Sequence, residues 1–215
     1  MNPDSTAGKL AKYLLEVGAV KLAPMDKPFT WASGWLSPIY CDTRLTLSYP
    51  EIRTFICESL VSLIREKFPE ATAVSGVATG GIAQGTLVAD RMGLPFSYIR
   101  SSAKDHGTHQ QVEGVVKPGD KVVVVEDLVS TGGSSLKAVD ALRNMGIEVL
   151  GMVALYTHGF PQAEETFRNA GELPFFTLSD YDAVIEEAKR QGLVSEGDLD
   201  RLREWRKNPG EWLKS

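Results

Sequence analysis

The sequence predicts an α/β fold, in which a central parallel β-sheet is covered by helices on both faces. Two observations carry this prediction. Short apolar runs alternate with amphipathic helical patterns from residue 73 to residue 157, and Gly or Pro residues separate them. Val122–Val125 is the run richest in valine, which is typical of a central strand in a parallel sheet, because such a strand is buried on both faces.

The composition is that of an ordinary globular protein. The chain has 215 residues, of which 43% are hydrophobic and 24% charged, and its formal net charge of -5 argues against nucleic acid or an anionic membrane as partner. No apolar run approaches the roughly 20 residues that span a bilayer, and the N-terminus lacks a signal-peptide pattern. We therefore expect a cytoplasmic protein, in which Cys41 and Cys57 are reduced thiols.

The first of three expected segments is residues 1–50. A helix from Ser5 to about Val17 opens it, with Ser5 or Thr6 as its N-cap. The stretch that follows is rich in Pro, Gly, Ser and aromatic residues, which predicts short irregular strands and turns outside the layered core. We call this stretch the hood.

The other two segments are the core and a C-terminal pair of helices. Residues 51–178 are expected to form the α/β core, and residues 101–117 form a long loop within it. Residues 179–215 predict two helices that pack back on the core, the first of them capped by Ser179 or Asp180.

The segment Val122–Ser135, VVVVEDLVSTGGSS, follows a predicted strand with two acids and a turn of hydroxyls and glycines. Ligands in open α/β sheets bind at the carboxyl ends of strands, and the N–H groups of a helix N-terminus bind phosphate. Residues 130–134 therefore predict a phosphate-binding turn. Glu126 and Asp127 suit the hydroxyls of a sugar and a transition state with positive charge on that sugar. The alternative is an ordinary helix start, with acids placed favourably near its dipole.

A second glycine-rich turn, SGVATGGIAQG, runs from Ser75 to Gly85 and also follows a predicted strand. Two such turns at neighbouring strand ends could hold the two phosphate ends of one substrate. In the alternative interpretation, Gly80 and Gly81 merely allow a helix to pack closely on a strand.

The long loop after Arg100 is polar and contains Lys104, His106 and His109. Loops of this length in compact domains are usually functional, and this one has the positive charge to neutralise a polyphosphate as a lid. Metal binding by the two histidines is a rival interpretation, but no third ligand completes a site. A basic loop that is merely mobile is the other alternative.

Together these stretches resemble the type I phosphoribosyltransferases, whose 5-phosphoribosyl-1-pyrophosphate (PRPP) signature is an apolar strand, two acids and a small-residue phosphate loop. VVVVEDLVSTGGS matches that signature, and FTWASGWLSPIYCDTRLTLSYP and RSSAKDHG resemble members that act on orotate. The resemblance implies a parallel sheet beneath a base-covering hood and transfer of the phosphoribosyl group to orotate. It also implies Mg²⁺, held mainly by PRPP, pyrophosphate and water, and a homodimer in which each lid reaches its neighbour's site.

The same resemblance assigns roles to single residues. Lys104 and His106 would contact the pyrophosphate, with Arg100 at the base of the lid, while Glu126 and Asp127 would bind the ribose hydroxyls. Catalytic roles would fall to Lys104, Glu126 and Asp127. The 5'-phosphate would lie in the turn, and orotate near its first serine. The complete set expected to contact substrate is Thr79, Gly80, Arg100, Lys104, His106, Glu126, Asp127, Leu128, Val129, Ser130, Thr131, Gly132, Gly133 and Ser134.

Four positions depart from well-known members of the family. Ser101 stands where the lid often has a lysine, Ala32 replaces a lysine in the hood, and Gly80 replaces a further lysine. His158 takes the place of an orotate-binding arginine. Three other functions stay open at this point: transfer to another base, a PRPP-sensing regulator that binds nucleic acid, and a homologue with an inactive site.

Overall fold

The N-terminal segment folds into one helix followed by short strands. The structure is a computed structural model, and it describes residues 2–24, 27–102 and 111–213. Helix α1 spans Thr6–Glu16, and the Ser5 hydroxyl accepts a hydrogen bond from the Gly8 N–H at 3.1 Å, so Ser5 is its N-cap. The hood contains β1 (Val20–Leu22), β2 (Phe29–Thr30), β3 (Leu36–Ser37), β4 (Ile39–Cys41) and a 3₁₀ helix at Thr43–Ser48. The predicted short strands are thus present, and they pair antiparallel as β1 with β4 and β2 with β3.

A six-stranded sheet forms the core. The remaining elements are α2 (Pro50–Lys67), β5 (Ala73–Val77), α3 (Gly80–Met92), β6 (Phe96–Ile99), β7 (Val112–Gly114), β8 (Lys121–Val129), α4 (Gly133–Arg143), β9 (Glu148–Thr157), α5 (Pro161–Asn169), β10 (Phe175–Asp180), α6 (Tyr181–Arg190) and α7 (Glu196–Lys207). The strand order is β10-β9-β8-β5-β6-β7, and every neighbouring pair is parallel except β6 with β7. The predicted parallel sheet is confirmed, and the valine-rich strand lies inside it.

The valines of β8 show why the sheet needs helices on both faces. Val123 and Val125 belong to the apolar cluster that includes residues of α1, α2, α6 and α7. Val122 and Val124 belong to a second cluster that includes residues of α4 and α5. Because successive side chains of a strand point to opposite faces, the continuous valine run supplies both clusters, and no solvent-facing side of this strand remains.

Three elements were missed by the sequence patterns. The strand β7 lies within the range 101–117, so the expectation of a loop without regular structure is wrong for its three residues. Neither α5 nor β10 was predicted, and β10 runs across the boundary between residues 178 and 179. These elements are short, and β10 lacks a regular burial alternation, which leaves little periodicity to detect. The two predicted C-terminal helices are present, and Asp180 caps the first through the Ala183 N–H.

The topology brings the predicted functional segments to one edge of the sheet. Since β5, β6, β8 and β9 are parallel neighbours, their carboxyl ends meet there. The residues that follow these ends are Ala78, Arg100, Ser130 and His158. Across the described ranges, the helices are all too short or too polar to cross a membrane.

Candidate active site

The turn between β8 and α4 has the geometry of an anion-binding helix start. Gly132 is the N-cap and has a φ of 82°, a backbone conformation that glycine adopts without strain. A Cβ at this position would also lie 3.1 Å from the Phe167 ring. Gly133 and Ser134 open the helix, so their N–H groups have no intrahelical acceptor and face the end of the sheet with a partial positive charge. The predicted residues of this turn are thus brought together.

Glu126, the first of the two acids, is enclosed at the end of β8, with 6% of its surface exposed. Its carboxyl accepts hydrogen bonds from the Ser135 hydroxyl at 3.2 Å and from the Asp127 N–H at 3.1 Å. Burial, and next the negative charge of Asp127, raise the pKa of Glu126 to about 9. At neutral pH the Glu126 carboxyl therefore carries a proton in the unliganded protein, and the pair does not hold two full negative charges.

Asp127 is held between three parts of the chain. Its Oδ1 accepts a hydrogen bond from the Leu128 N–H at 2.9 Å, and its Oδ2 accepts one from the Thr43 hydroxyl of the hood, also at 2.9 Å. A Cβ added to Gly80 would lie 2.6 Å from Oδ1 and closer still to Oδ2. Among the described residues, neither Asp127 nor Glu126 has a partner in an ion pair. Asp127, which is half-buried, therefore stays available to a polar ligand, and Glu126 lies enclosed beside it.

The second glycine turn has the close packing of its alternative interpretation, and its phosphate-binding interpretation stays a prediction. Gly81 allows close packing, because a Cβ there would lie 3.3 Å from the Glu126 Cα and within contact distance of the Val125 carbonyl. Gly80 instead makes room for the Asp127 carboxylate. Thr79 is exposed just before α3. This turn is therefore adjacent to the acids, as expected for two turns at neighbouring strand ends.

Arg100 marks the point where the lid segment leaves the sheet. Its N–H donates to the Gln111 carbonyl at 2.9 Å, and the Gln111 amide donates back to the Arg100 carbonyl at 2.7 Å. The guanidinium lies 3.6 Å from a carboxylate oxygen of Glu113. These contacts anchor the base of the predicted lid. Lys104, His106 and His109 lie outside the described residues.

The structure corrects the idea that His158 replaces an orotate-binding arginine. Only 2% of His158 is exposed, and its ring is stacked on Phe160 with centroids 5.4 Å apart and lies 5.0 Å from the Trp31 ring. Burial lowers the pKa of His158 to about 3, so the ring is neutral at physiological pH. His158 is therefore a core residue that joins the hood to the sheet.

The same aromatic cluster joins α7 to the hood. The Trp205 indole N–H donates to the Leu36 carbonyl at 3.1 Å, and the Trp31 indole N–H donates to the Ile39 carbonyl at 3.1 Å. The Trp205 ring also packs edge-on against Phe160, with centroids 5.2 Å apart. The position of the hood over the sheet edge thus depends on a helix from the far end of the chain.

Two residues that contact the acids were missed by the sequence analysis. Ser135 lies directly after the predicted phosphate turn, and its place in the first turn of α4 could have suggested it. Thr43 contacts Asp127 across 84 positions of sequence, and no local pattern indicates that contact. Within the described ranges, no three His, Cys, Asp or Glu side chains are grouped so as to hold a metal ion.

This fold and this site define a class of protein. The model of the phosphoribosyl transferase domain matches residues 49–172, a range that includes both turns and the acid pair, and the chain belongs to that family. Within it, the chain is 62% identical to an orotate phosphoribosyltransferase of Porphyromonas gingivalis over 96% of this chain and 98% of the relative. It is 56% identical to an orotate phosphoribosyltransferase of Bacteroides thetaiotaomicron over 94% of both chains. Its particular place in the class is thus with the orotate phosphoribosyltransferases.

A solved structure agrees with this assignment. The crystal structure of orotate phosphoribosyltransferase from Aeropyrum pernix superposes with a TM-score of 0.74 at 30% identity, covering 86% of this chain and 99% of that one. The expected α/β fold of the type I phosphoribosyltransferases is therefore confirmed for this chain.

Proposed function

We propose that this protein transfers the 5-phosphoribosyl group from PRPP to orotate, giving orotidine 5'-monophosphate and pyrophosphate. The observation that carries the proposal is the adjacency, on the single strand β8 and the turn after it, of an acid pair and an anion-binding helix start. A sugar phosphate matches that arrangement, because its phosphate suits the helix start and its hydroxyls suit the carboxyls. A helix start without the acids, or the acids without a helix start, would not select a sugar phosphate.

The bond changes define what the site has to stabilise. The bond from the anomeric carbon to the pyrophosphate oxygen breaks, and a bond from that carbon to a ring nitrogen of orotate forms. Positive charge grows on the ribose in the transition state, while negative charge grows on the leaving group. The Asp127 carboxylate would therefore stabilise the charge on the ribose, the Glu126 carboxyl would bind a ribose hydroxyl, and cations are needed at the opposite end of PRPP.

The cationic end would be supplied by the segment after β6. Arg100 is anchored at its base, and Lys104 and His106 follow it in the lid sequence. A lysine on a lid can approach the pyrophosphate, help to exclude water and then move away so that the product can leave. Thr79 and Gly80 lie at the start of α3, after β5, which is the strand next to β8, and would line the path between the two ends.

Mg²⁺ would accompany PRPP, neutralising charge on the pyrophosphate as it departs. The described residues fit a metal carried by substrate: Asp127 offers carboxylate oxygens, the donor type that Mg²⁺ prefers, and Mg²⁺ commonly keeps several waters and binds through one or two carboxylates plus substrate phosphates. Orotate would be held by the hood and by Leu128, Val129 and Ser130 at the end of β8.

The direct test is base selection. Purified protein is incubated with PRPP and Mg²⁺ and with orotate, uracil, adenine or hypoxanthine in turn, and consumption of each base is followed by chromatography. We expect orotate alone to be consumed, with pyrophosphate formed in equal amount. Consumption of a purine instead would reject the proposed substrate, and no turnover with any base would reject the enzymatic function.

The role of Lys104 is tested by Lys104→Ala. We expect turnover to fall at least about tenfold, with the melting temperature unchanged, because the lysine would act on the leaving group and not on the core. A Lys104→Ala variant with full turnover would remove this residue from the mechanism.

We further propose that the active unit is a homodimer with a lid shared between subunits. Mixing Lys104→Ala with Asp127→Asn subunits, each weakly active alone, should restore activity, because one site of each hybrid dimer would combine an intact lid with an intact acid pair. Activity that stays at the level of the parent variants, while native mass spectrometry shows that mixed dimers have formed, would contradict the shared site.

A further inference from the structure

The contact between the hood and Asp127 suggests a role for Thr43 that no family resemblance assigned. Its hydroxyl donates to Asp127 Oδ2 at 2.9 Å, and the two residues lie 84 positions apart. Thr43 is 2% exposed, so solvent does not compete for this hydroxyl. A buried hydrogen bond to a carboxylate is among the stronger ones in proteins.

Thr43 itself is fixed in place. It begins the 3₁₀ helix of the hood, and the Thr46 hydroxyl donates to the Thr43 carbonyl at 2.6 Å. The preceding residue, Asp42, accepts the Arg44 N–H at 3.2 Å and pairs with the Arg44 guanidinium at 2.7 Å. The donor to Asp127 is therefore held by a local network of its own.

The geometry at Asp127 leaves acceptor sites for a ligand. A carboxylate has about four lone-pair sites. The Leu128 N–H uses one site on Oδ1, and the Thr43 hydroxyl uses one on Oδ2. Toward the described residues each oxygen thus keeps one site, which matches two neighbouring hydroxyls of a ribose. Gly80 lies against the carboxylate on one side, and the hydrogen bond from Thr43 fixes the rotation of the Asp127 carboxylate about its side-chain bonds.

We infer that Thr43 is a positioning residue, which orients the Asp127 carboxylate for the ribose hydroxyls of PRPP and thereby ties the hood to the PRPP site. Thr43 does not contact the reacting atoms in this inference. The inference rests on the proposed function, since it names the ligand of Asp127, and it goes further by making a hood residue part of the ribose site.

The test measures PRPP binding directly, by titration calorimetry with Mg²⁺ and without orotate. Thr43→Val keeps the shape of the side chain and removes the donor, so we expect the Kd for PRPP to rise at least about tenfold. Thr43→Ser restores the hydroxyl and should bring the Kd back to within about threefold of the unmodified protein. The KM for orotate should stay within about twofold in both variants.

Thr46→Val is the matched control, because it removes a buried hydroxyl from the same 3₁₀ helix and leaves the Thr43 donor in place. We expect it to lower the melting temperature at least as much as Thr43→Val and to weaken PRPP binding far less, by no more than about threefold, because the Thr43 hydroxyl remains and the Asp42–Arg44 contacts still hold the start of the helix. Equal weakening of PRPP binding by both variants would attribute the effect to a loosened helix and overturn the positioning role.

Other outcomes separate the inference from the proposed function. Unchanged PRPP binding in Thr43→Val, or a rise confined to the KM for orotate, would overturn the role of Thr43 while the enzyme remains a PRPP-dependent transferase. Unmodified protein that binds PRPP but does not use orotate would reject the proposed base and leave the role of Thr43 to be decided by the same Kd values. Unmodified protein that binds no PRPP would overturn both.

Discussion

Replacing Gly80 by alanine should separate ligand binding from stability at this site. The φ of Gly80 is not positive, so alanine fits the backbone of α3 there. Its Cβ, however, would lie 2.6 Å from Asp127 Oδ1 and nearer still to Oδ2. The three atoms that this Cβ would meet all belong to the Asp127 side chain, which can turn about its own bonds more easily than the helix can shift. The Asp127 side chain must therefore rotate away from its place between Thr43 and the Leu128 N–H.

The expected loss of PRPP affinity follows from the hydrogen bond to a ribose hydroxyl that the rotated Asp127 carboxylate would no longer accept. A hydrogen bond to a charged group contributes about 1.5–3 kcal/mol, which corresponds to about a ten- to hundredfold change in an equilibrium constant. We expect Gly80→Ala to weaken PRPP binding by that factor. The unfolding free energy should fall by less than the binding free energy, by about 0.5–2 kcal/mol, because the helix preference of alanine over glycine, up to about 1 kcal/mol, offsets part of a lost hydrogen bond of about 1.5–3 kcal/mol.

The assay pairs calorimetric titration of PRPP with urea unfolding. Gly197→Ala is the matched control: Gly197 also lies in the first turn of a helix, and a Cβ there meets no atom nearer than the Ser195 hydroxyl at 3.9 Å. This control should bind PRPP like the unmodified protein. If Gly80→Ala bound PRPP with unchanged affinity, the orientation of Asp127 seen in the structure would not matter for the ligand, and the reasoning would be refuted.

Three further predictions concern buried groups. The pKa of Glu126 is raised to about 9 in the folded protein, so the stability from its buried neutral form is complete below about pH 4.5 and is lost towards pH 9. The free energy of unfolding should fall by up to about 1.4 kcal/mol per pH unit in that range. Glu126→Gln should flatten this pH dependence in urea unfolding. His158→Arg should lower the unfolding free energy by at least about 3 kcal/mol without improving orotate binding, because it buries an unpaired charge. Trp205→Phe should cost about 1–3 kcal/mol, because the Leu36 carbonyl loses its buried donor.

Each of these has an outcome that contradicts it. A Glu126→Gln variant with the same pH slope as the unmodified protein would show that Glu126 is ionised in the fold. A stable His158→Arg variant with a lower KM for orotate would restore the interpretation of this position as a ligand. Unchanged urea unfolding of Trp205→Phe would mean that α7 does not hold the hood.

Much of the candidate ligand site could be described from the sequence because its residues are local. The acids and the phosphate turn occupy nine consecutive positions, 126–134, and the strand before them fixes which end of the sheet they reach. Strand periodicity and helix-start chemistry act over a few residues, so a short stretch contains all the information they need. The parallel order of the strands likewise follows from the alternation of strands with helices.

Tertiary structure alone decided what surrounds those residues. In the sequence His158 takes the place of an expected orotate-binding arginine, but four aromatic side chains enclose it and keep it neutral: its sequence neighbours Tyr156 and Phe160, Trp31 of the hood and Trp205 of α7. Thr43 looked like an ordinary hood residue, yet it donates to the acid at the centre of the site. The physical reason is the same in both cases: burial and long-range hydrogen bonds depend on which distant segments come into contact. The residues next to His158 and Thr43 in the sequence do not indicate which segments those are.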